Sequence, residues 1–164
     1  MTLSNANIAD SALRRAARSR LYVELAGLAF AVQKGFSPEE YARHLWSKGA
    51  ARWMGKTSPD AAEYLLKEAE AFQCLFPSVV FEVIETGKES AELAFVKGCL
   101  GGWGKDPWNL ARSLGLTKEN VCRYCRESFR VWAEQLGLDA HTEPQENGTC
   151  RLRAVRRKSS ISKP

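Results

Sequence analysis

Apolar positions recur every three or four residues through the first half of the chain. Leu13, Ala17, Leu21, Leu25 and Leu28 form one stripe, with Arg14, Arg18 and Glu24 off it, and predict a helix over Asp10–Lys34 that Gly35 ends. Ser37-Pro38-Glu39-Glu40 is a strong start signal: Ser37 is placed to cap, Pro38 sits where a missing N–H costs nothing, and Glu40 completes a capping box. This second helix carries Tyr41, Leu45, Trp46, Trp53 and Met54 toward Gly55. Ser58-Pro59-Asp60 repeats the signal and opens a third helix to about Phe76, with Ala61, Leu65, Ala69 or Glu68, and Phe72 in register.

Beyond Pro77 the period changes. Val79–Glu85 is rich in β-branched residues, Thr86–Ser90 reads as a turn, and Ala91–Cys99 follows as a second strand. Asp106-Pro107 opens a short helix to Leu114, and Thr117 caps a longer one over Lys118–Leu136 that Gly137 closes. Leu138–Glu143 and Thr149–Arg156 form a second hairpin about Pro144–Gly148. The fold class is therefore α+β: a three-helix N-terminal segment, then a β-β-α-α-β-β unit whose strands make one four-stranded antiparallel sheet packed on helices. One domain over residues 1–156 is expected, a helical half to 76 and a sheet half from 77, with 157–164 a disordered basic tail.

Charge changes this picture only at one end. The formal charge of +5 includes six basic residues and no acid over 151–164, so residues 1–150 sum to −1. A broad nucleic-acid face on the folded body is not expected; any such contact would run through the tail. The apolar run Leu21–Phe36 is broken by Glu24 and Gln33, too short for a membrane span, and its basic flank Arg14–Arg20 starts late for an export signal. A cytoplasmic protein with no membrane partner is expected, whose five cysteines are not structural disulfides.

Four of those cysteines follow C-x22-C-x2-C-x24-C: Cys99, Cys122, Cys125 and Cys150. Cys122, Cys125, Phe129, Trp132 and Leu136 fall on one helix face. Cys150 shares a strand side with Leu152 and Ala154, and Cys99 has the parity of Leu93 and Phe95. All four thereby face one helix–sheet layer. Such a set suits a zinc ion or an iron–sulfur cluster; it equally suits ordinary core, since cysteine packs as a small hydrophobe. A third reading is a reactive thiol at Cys122, near a helix start with Arg123 and Arg126 beside it. Cys74 reads as core, and the two histidines, His44 and His141, as structural.

Two further patterns carry chemistry. Gly101-Gly102-Trp103-Gly104-Lys105-Asp106 leads into a helix without matching a phosphate-loop pattern; with Trp108, Trp103 would line the mouth of a small-molecule pocket. Leu110–Thr117 followed by a helix bearing Lys118, Arg123, Arg126 and Arg130 has the outline of a helix-turn-helix, which makes a DNA-binding or thiol-based regulatory protein the alternative.

The order of parts resembles the small family named for L-2-amino-thiazoline-4-carboxylic acid hydrolase, and its relatives near the 4-vinyl reductase domain. The resemblance rests on Phe95-Val96-Lys97-Gly98-Cys99, Val121-Cys122-Arg123-Tyr124-Cys125, Leu136-Gly137 and Gly148-Thr149-Cys150-Arg151-Leu152, over about residues 75–156. It implies an α+β domain with a ligand pocket between sheet and helices and cysteines in or near it. The activity it implies is hydrolysis of a C–N bond in a cyclic amidine.

Overall fold

The computed structural model describes residues 5–49, 52, 54–56, 58–75, 79–96, 108–145 and 149–157. Helices α1 (Asn5–Gln33), α2 (Pro38–Trp46) and α3 (Ala61–Leu75) lead into strands β1 (Phe81–Thr86) and β2 (Ser90–Phe95). Helices α4 (Trp108–Ser113) and α5 (Lys118–Gln135) follow, then β3 (Leu138–Pro144) and β4 (Cys150–Arg156).

Local chemistry sets the boundaries. At α2 the capping box forms as the sequence predicts: Glu40 N donates to Ser37 Oγ at 3.2 Å and Ser37 N to Glu40 Oε2 at 2.7 Å. The second helix is shorter than expected, because the chain leaves α2 at Trp46 and turns through Ser47–Gly49; Arg52 and Met54 are helical again beyond it. At α3 the cap is Asp60 rather than Ser58, with Asp60 Oδ1 accepting from Glu63 N at 2.9 Å and Glu63 Oε2 accepting from Asp60 N at 3.1 Å. Thr117 and Asn120 cap α5 in the same reciprocal way. Gly137, at φ 75°, reverses the chain directly into β3, a conformation that favours glycine.

The two hairpins join through β2 and β4, giving one antiparallel sheet in the order β1-β2-β4-β3. Leu93 pairs with Val83 and Leu152, Ala91 with Ala154, and Phe95 with Cys150. Strand alternation turns Ala91, Leu93, Phe95, Leu138, Ala140, Leu152 and Ala154 to one buried face. The other face is polar, where Arg151 reaches Glu92 at 3.2 Å and Arg153 donates to Ser90 Oγ at 3.3 Å. β1 is an edge strand with a register irregularity between Val83 and Glu85, and it is exposed along most of its length.

Helices cover the buried face. α3 packs on β1, β2 and β4, while α5 lies between β3 and α2. α5 is therefore buried on a wider arc than the single apolar stripe predicted. Cys125, Phe129 and Leu136 share in the core, and Val121, Tyr124, Ser128 and Val131 are also covered. On the α1–α2 side, Trp46 Nε1 donates to Tyr124 Oη at 2.9 Å, and Tyr124 Oη donates to Glu24 Oε1 at 2.7 Å. Five ring contacts then cross the core in series: Trp46 to Trp132 at 4.8 Å, Trp132 to Phe129 at 6.5 Å, Phe129 to Phe72 at 5.6 Å, Phe72 to Phe95 at 5.1 Å, and Phe95 to Phe81 at 5.1 Å. Arg157, read above as the first tail residue, is held to the body by Asp139 at 2.7 Å and Glu134 at 3.1 Å. Residues 158–164 lie outside the described residues. No helix among the described residues is long and apolar enough to cross a membrane.

Candidate functional site

The site is the seam between the inner face of the sheet and the helices α3 and α5. Cys122 lies in the first turns of α5 and Cys150 opens β4, opposite Phe95 in β2 and Pro144 in β3. Both are half-buried thiols, and they lie within electrostatic reach of each other. Burial pushes the Cys150 thiol up to about 11, with a smaller contribution from Cys122. Burial also pushes Cys122 up, and it outweighs the nearby Lys118 and Arg126. Arg123, expected to activate this thiol, instead binds Glu39 through two hydrogen bonds of 2.6 and 2.8 Å. The helix start therefore does not yield a low-pKa nucleophile at Cys122, because desolvation disfavours the thiolate more than these cations favour it.

Cys125 lies one turn further along α5 and stands beside Tyr64 of α3. Tyr64 is completely buried, and its hydroxyl donates to the Phe129 carbonyl oxygen at 3.3 Å. One turn on from Tyr64 is Glu68, 1 % exposed, whose two carboxylate oxygens both lack a hydrogen-bond partner. The Tyr64 hydroxyl also has a polar contact with Glu68, loose enough to offset little of the carboxyl's burial. Burial pushes the Glu68 carboxyl up to about 8 from the ordinary 4.5, with Tyr64 opposing weakly. Thr142 of β3, opposite Leu152, has a buried hydroxyl oxygen that is likewise without a partner.

The expected site residues separate accordingly. Cys122 and Cys150 lie within electrostatic reach of each other, and Cys125 lies near Tyr64. Cys99 and Trp103 lie outside the described residues. Trp108 opens α4, with the Lys118 ammonium 5.8 Å from its ring centroid. Cys74 is exposed on α3, so it is not core, and His44 and His141 are exposed away from the seam. Among the described residues, no three His, Cys, Asp or Glu side chains gather as a metal-binding group. Tyr64 and Thr142 were not singled out from sequence. Glu68 had a visible signal: an acid at a position of the α3 apolar stripe.

Three of the four basic residues on the second helix of the helix-turn-helix outline pair with carboxylates of the chain. Arg123 pairs with Glu39 at 2.6 Å and Arg126 with Glu119 at 3.2 Å. Arg130 pairs with Glu127 at 2.6 Å and also with Glu134.

Comparison with protein-family models, with curated proteins and with solved structures finds no match to this chain.

Proposed function

We propose that this domain binds a small molecule in the seam between α3, α5 and the sheet. The observation that carries the reading is a row of polar groups in a layer that otherwise buries hydrocarbon: Cys150, Cys122, Cys125, Tyr64 and Glu68, whose carboxyl has only a loose contact with Tyr64. Buried polar groups in folded proteins are nearly always well satisfied, and an acid as poorly satisfied as Glu68 inside a helix–sheet layer supports a functional role there. The row offers thiols, a phenol and a carboxyl to one ligand, which suits recognition of a polar compound more than a plain core. Hydrolysis of a C–N bond in a cyclic amidine, which the family resemblance implies, is the activity this reading extends to, with Glu68 as the one described carboxyl in the row.

A zinc or iron–sulfur centre on Cys99, Cys122, Cys125 and Cys150 is the competing reading. Its support is the proximity of Cys122 to Cys150. Against it, the described donors gather no third ligand. DNA binding is disfavoured by the pairing of the α5 arginines with carboxylates.

The test is native mass spectrometry of the full chain, purified without oxygen, with elemental analysis of the same sample. A bound organic mass and no stoichiometric metal supports the proposal. About one zinc or one iron cluster per chain, lost on Cys150→Ser, replaces it with the metal reading. Finding neither removes the seam as a site.

A further inference from the structure

Helix α1 is apolar on two opposite faces, and one of them is turned to solvent. Ala17, Leu21, Leu25 and Leu28 are buried on the face that packs on α2 and α3. The opposite face runs Ala12, Ala16, Ser19, Val23, Ala26 and Phe30, in alternating steps of four and three residues that keep to one side of a helix. No charged residue interrupts it over about 27 Å of helix. Val23 is 66 % exposed and Phe30 63 %, with Tyr22 beside them at 51 %. A surface helix ordinarily turns one apolar stripe to its core and carries charge on the other side. A second stripe, with a valine and a phenylalanine standing clear of the body, points to a surface that meets another protein.

The stripe is complementary to a reversed copy of itself. Its large residues, Val23 and Phe30, lie in the C-terminal half of α1, and its small ones, Ala12, Ala16 and Ser19, in the N-terminal half. Two copies crossing antiparallel about a twofold axis between Val23 and Ala26 set Phe30 of each against Ser19 of the other, and Val23 against Ala26. Large side chains then fill the space over small ones. Charge selects the same orientation. Arg15 and Arg20 flank the stripe in the N-terminal half. A parallel pair would set Arg15 of one copy beside Arg20 of the other, on both sides of the contact. The antiparallel pair sets these arginines beside the partner's C-terminal half, which carries Glu24 and no basic residue and whose last turn holds partial negative charge. The edge of β1 is the rival surface for a second copy, with Val83 and Ile84 exposed. Its register irregularity and the carboxylates of Glu82 and Glu85 guard it against strand pairing.

We propose that α1 is a self-association surface and that two copies of this chain pair antiparallel through the face running from Ala12 to Phe30. The inference is independent of the reading of the seam. A single helix pair is a small contact, and interfaces under about 1,200 Å² are weak ones, so a reversible dimer of micromolar affinity is expected.

The experiment is sedimentation velocity on the full chain under reducing conditions, over micromolar to submillimolar concentrations. A monomer–dimer equilibrium is expected. Val23→Glu and Phe30→Glu are each expected to weaken it tenfold or more while far-ultraviolet circular dichroism stays native, and Val83→Glu to leave it unchanged. A chain that stays monomeric throughout, or a dimer that survives both α1 substitutions, would overturn the proposal, as would a dimer lost in Val83→Glu alone. Should either glutamate variant lose its native spectrum, Ser19→Arg takes its place with the same expected effect. Orientation has its own readout. A mixture of Ser19→Cys and Phe30→Cys chains, oxidised with diamide and mapped by peptide mass spectrometry, is expected to give a disulfide between position 19 of one chain and position 30 of the other. A link between two copies of position 19 in its place would overturn the antiparallel arrangement.

Discussion

The Tyr64 hydroxyl donates to the Phe129 carbonyl oxygen at 3.3 Å, and Glu68, one helical turn away and 1 % exposed, has only a loose polar contact with that hydroxyl to offset its burial. A buried acid held this way works against the fold. Its carboxyl is pushed up to about 8, so between 4.5 and 8 the folded chain keeps a proton that the unfolded chain has released. Stability from this group is complete below 4.5 and falls by ~1.4 kcal/mol per pH unit through that window. Glu68→Leu removes the loss. Urea unfolding at pH 5, 6.5 and 8 is expected to show the variant gaining on wild type as pH rises. Parallel profiles would mean that Glu68 does not titrate in this range.

The thiols give an ordered prediction of reactivity. Cys150 is pushed up to about 11 and Cys122 is also raised, both by burial. Cys74 is exposed. Alkylation by iodoacetamide at pH 7.5, followed by peptide mass spectrometry, is expected to label Cys74 first. Labelling of Cys122 and Cys150 should lag by roughly tenfold or more, because only the thiolate reacts and access is limited. Cys122 labelled as fast as Cys74 would restore the activated-thiol reading.

Arg123 and Glu39 join α5 to α2 through a two-pronged contact of 2.6 and 2.8 Å. That hydrogen bonding, with the charge of Arg123, holds the Glu39 carboxyl below its ordinary value. The side chains keep 38 % and 35 % of their exposure, so solvent screens much of the attraction. A double-mutant cycle of Arg123→Ala and Glu39→Ala should therefore give a coupling of only about 0.5–1 kcal/mol. The stabilising effect of Glu39 is present at neutral pH and lost as pH falls through its lowered pKa, so the coupling should fade in acid. A coupling unchanged by acid would point to packing rather than charge.

Helix starts, strand parity and the two-hairpin plan were legible because each depends on neighbours in sequence. Ser37 with Glu40 and Thr117 with Asn120 lie three residues apart, and Cys150, Leu152 and Ala154 alternate strictly. What was not legible depends on distant partners. α5 reads as one apolar stripe, yet α2 covers its second flank, and Trp46 binding to Tyr124 across 78 residues has no local signature. The nearness of Cys125 to Tyr64 is likewise set by how α3 docks. The cation Arg123 was assigned to a thiol by adjacency, but the bidentate geometry of Glu39 holds it. Burial, the force that decides both thiols, is a property of the whole fold.

The contact of Tyr41 with Gly27 tests how tightly α1 and α2 meet. A Cβ added at Gly27 would overlap the Tyr41 hydroxyl oxygen, with the ring carbon behind it at 3.2 Å. Two effects oppose each other in Gly27→Ala. Alanine in a helix interior gains about 1 kcal/mol over glycine, while forcing a methyl into a filled space costs roughly 1–3 kcal/mol. Overlap wins in the wild-type background, since the methyl would lie deep inside the hydroxyl oxygen of Tyr41, whose ring also packs on Tyr124 with centroids 5.7 Å apart. Removing the oxygen should reverse the sign: with Tyr41→Phe present, Gly27→Ala meets only the ring, which yields by a small rotation, and the helix gain remains. Thermal unfolding of the two single variants and the double variant checks this. Gly27→Ala should lower the melting temperature of wild type and leave unchanged or raise that of Tyr41→Phe; an equal loss in both backgrounds would place the clash on the Tyr41 ring instead of the hydroxyl.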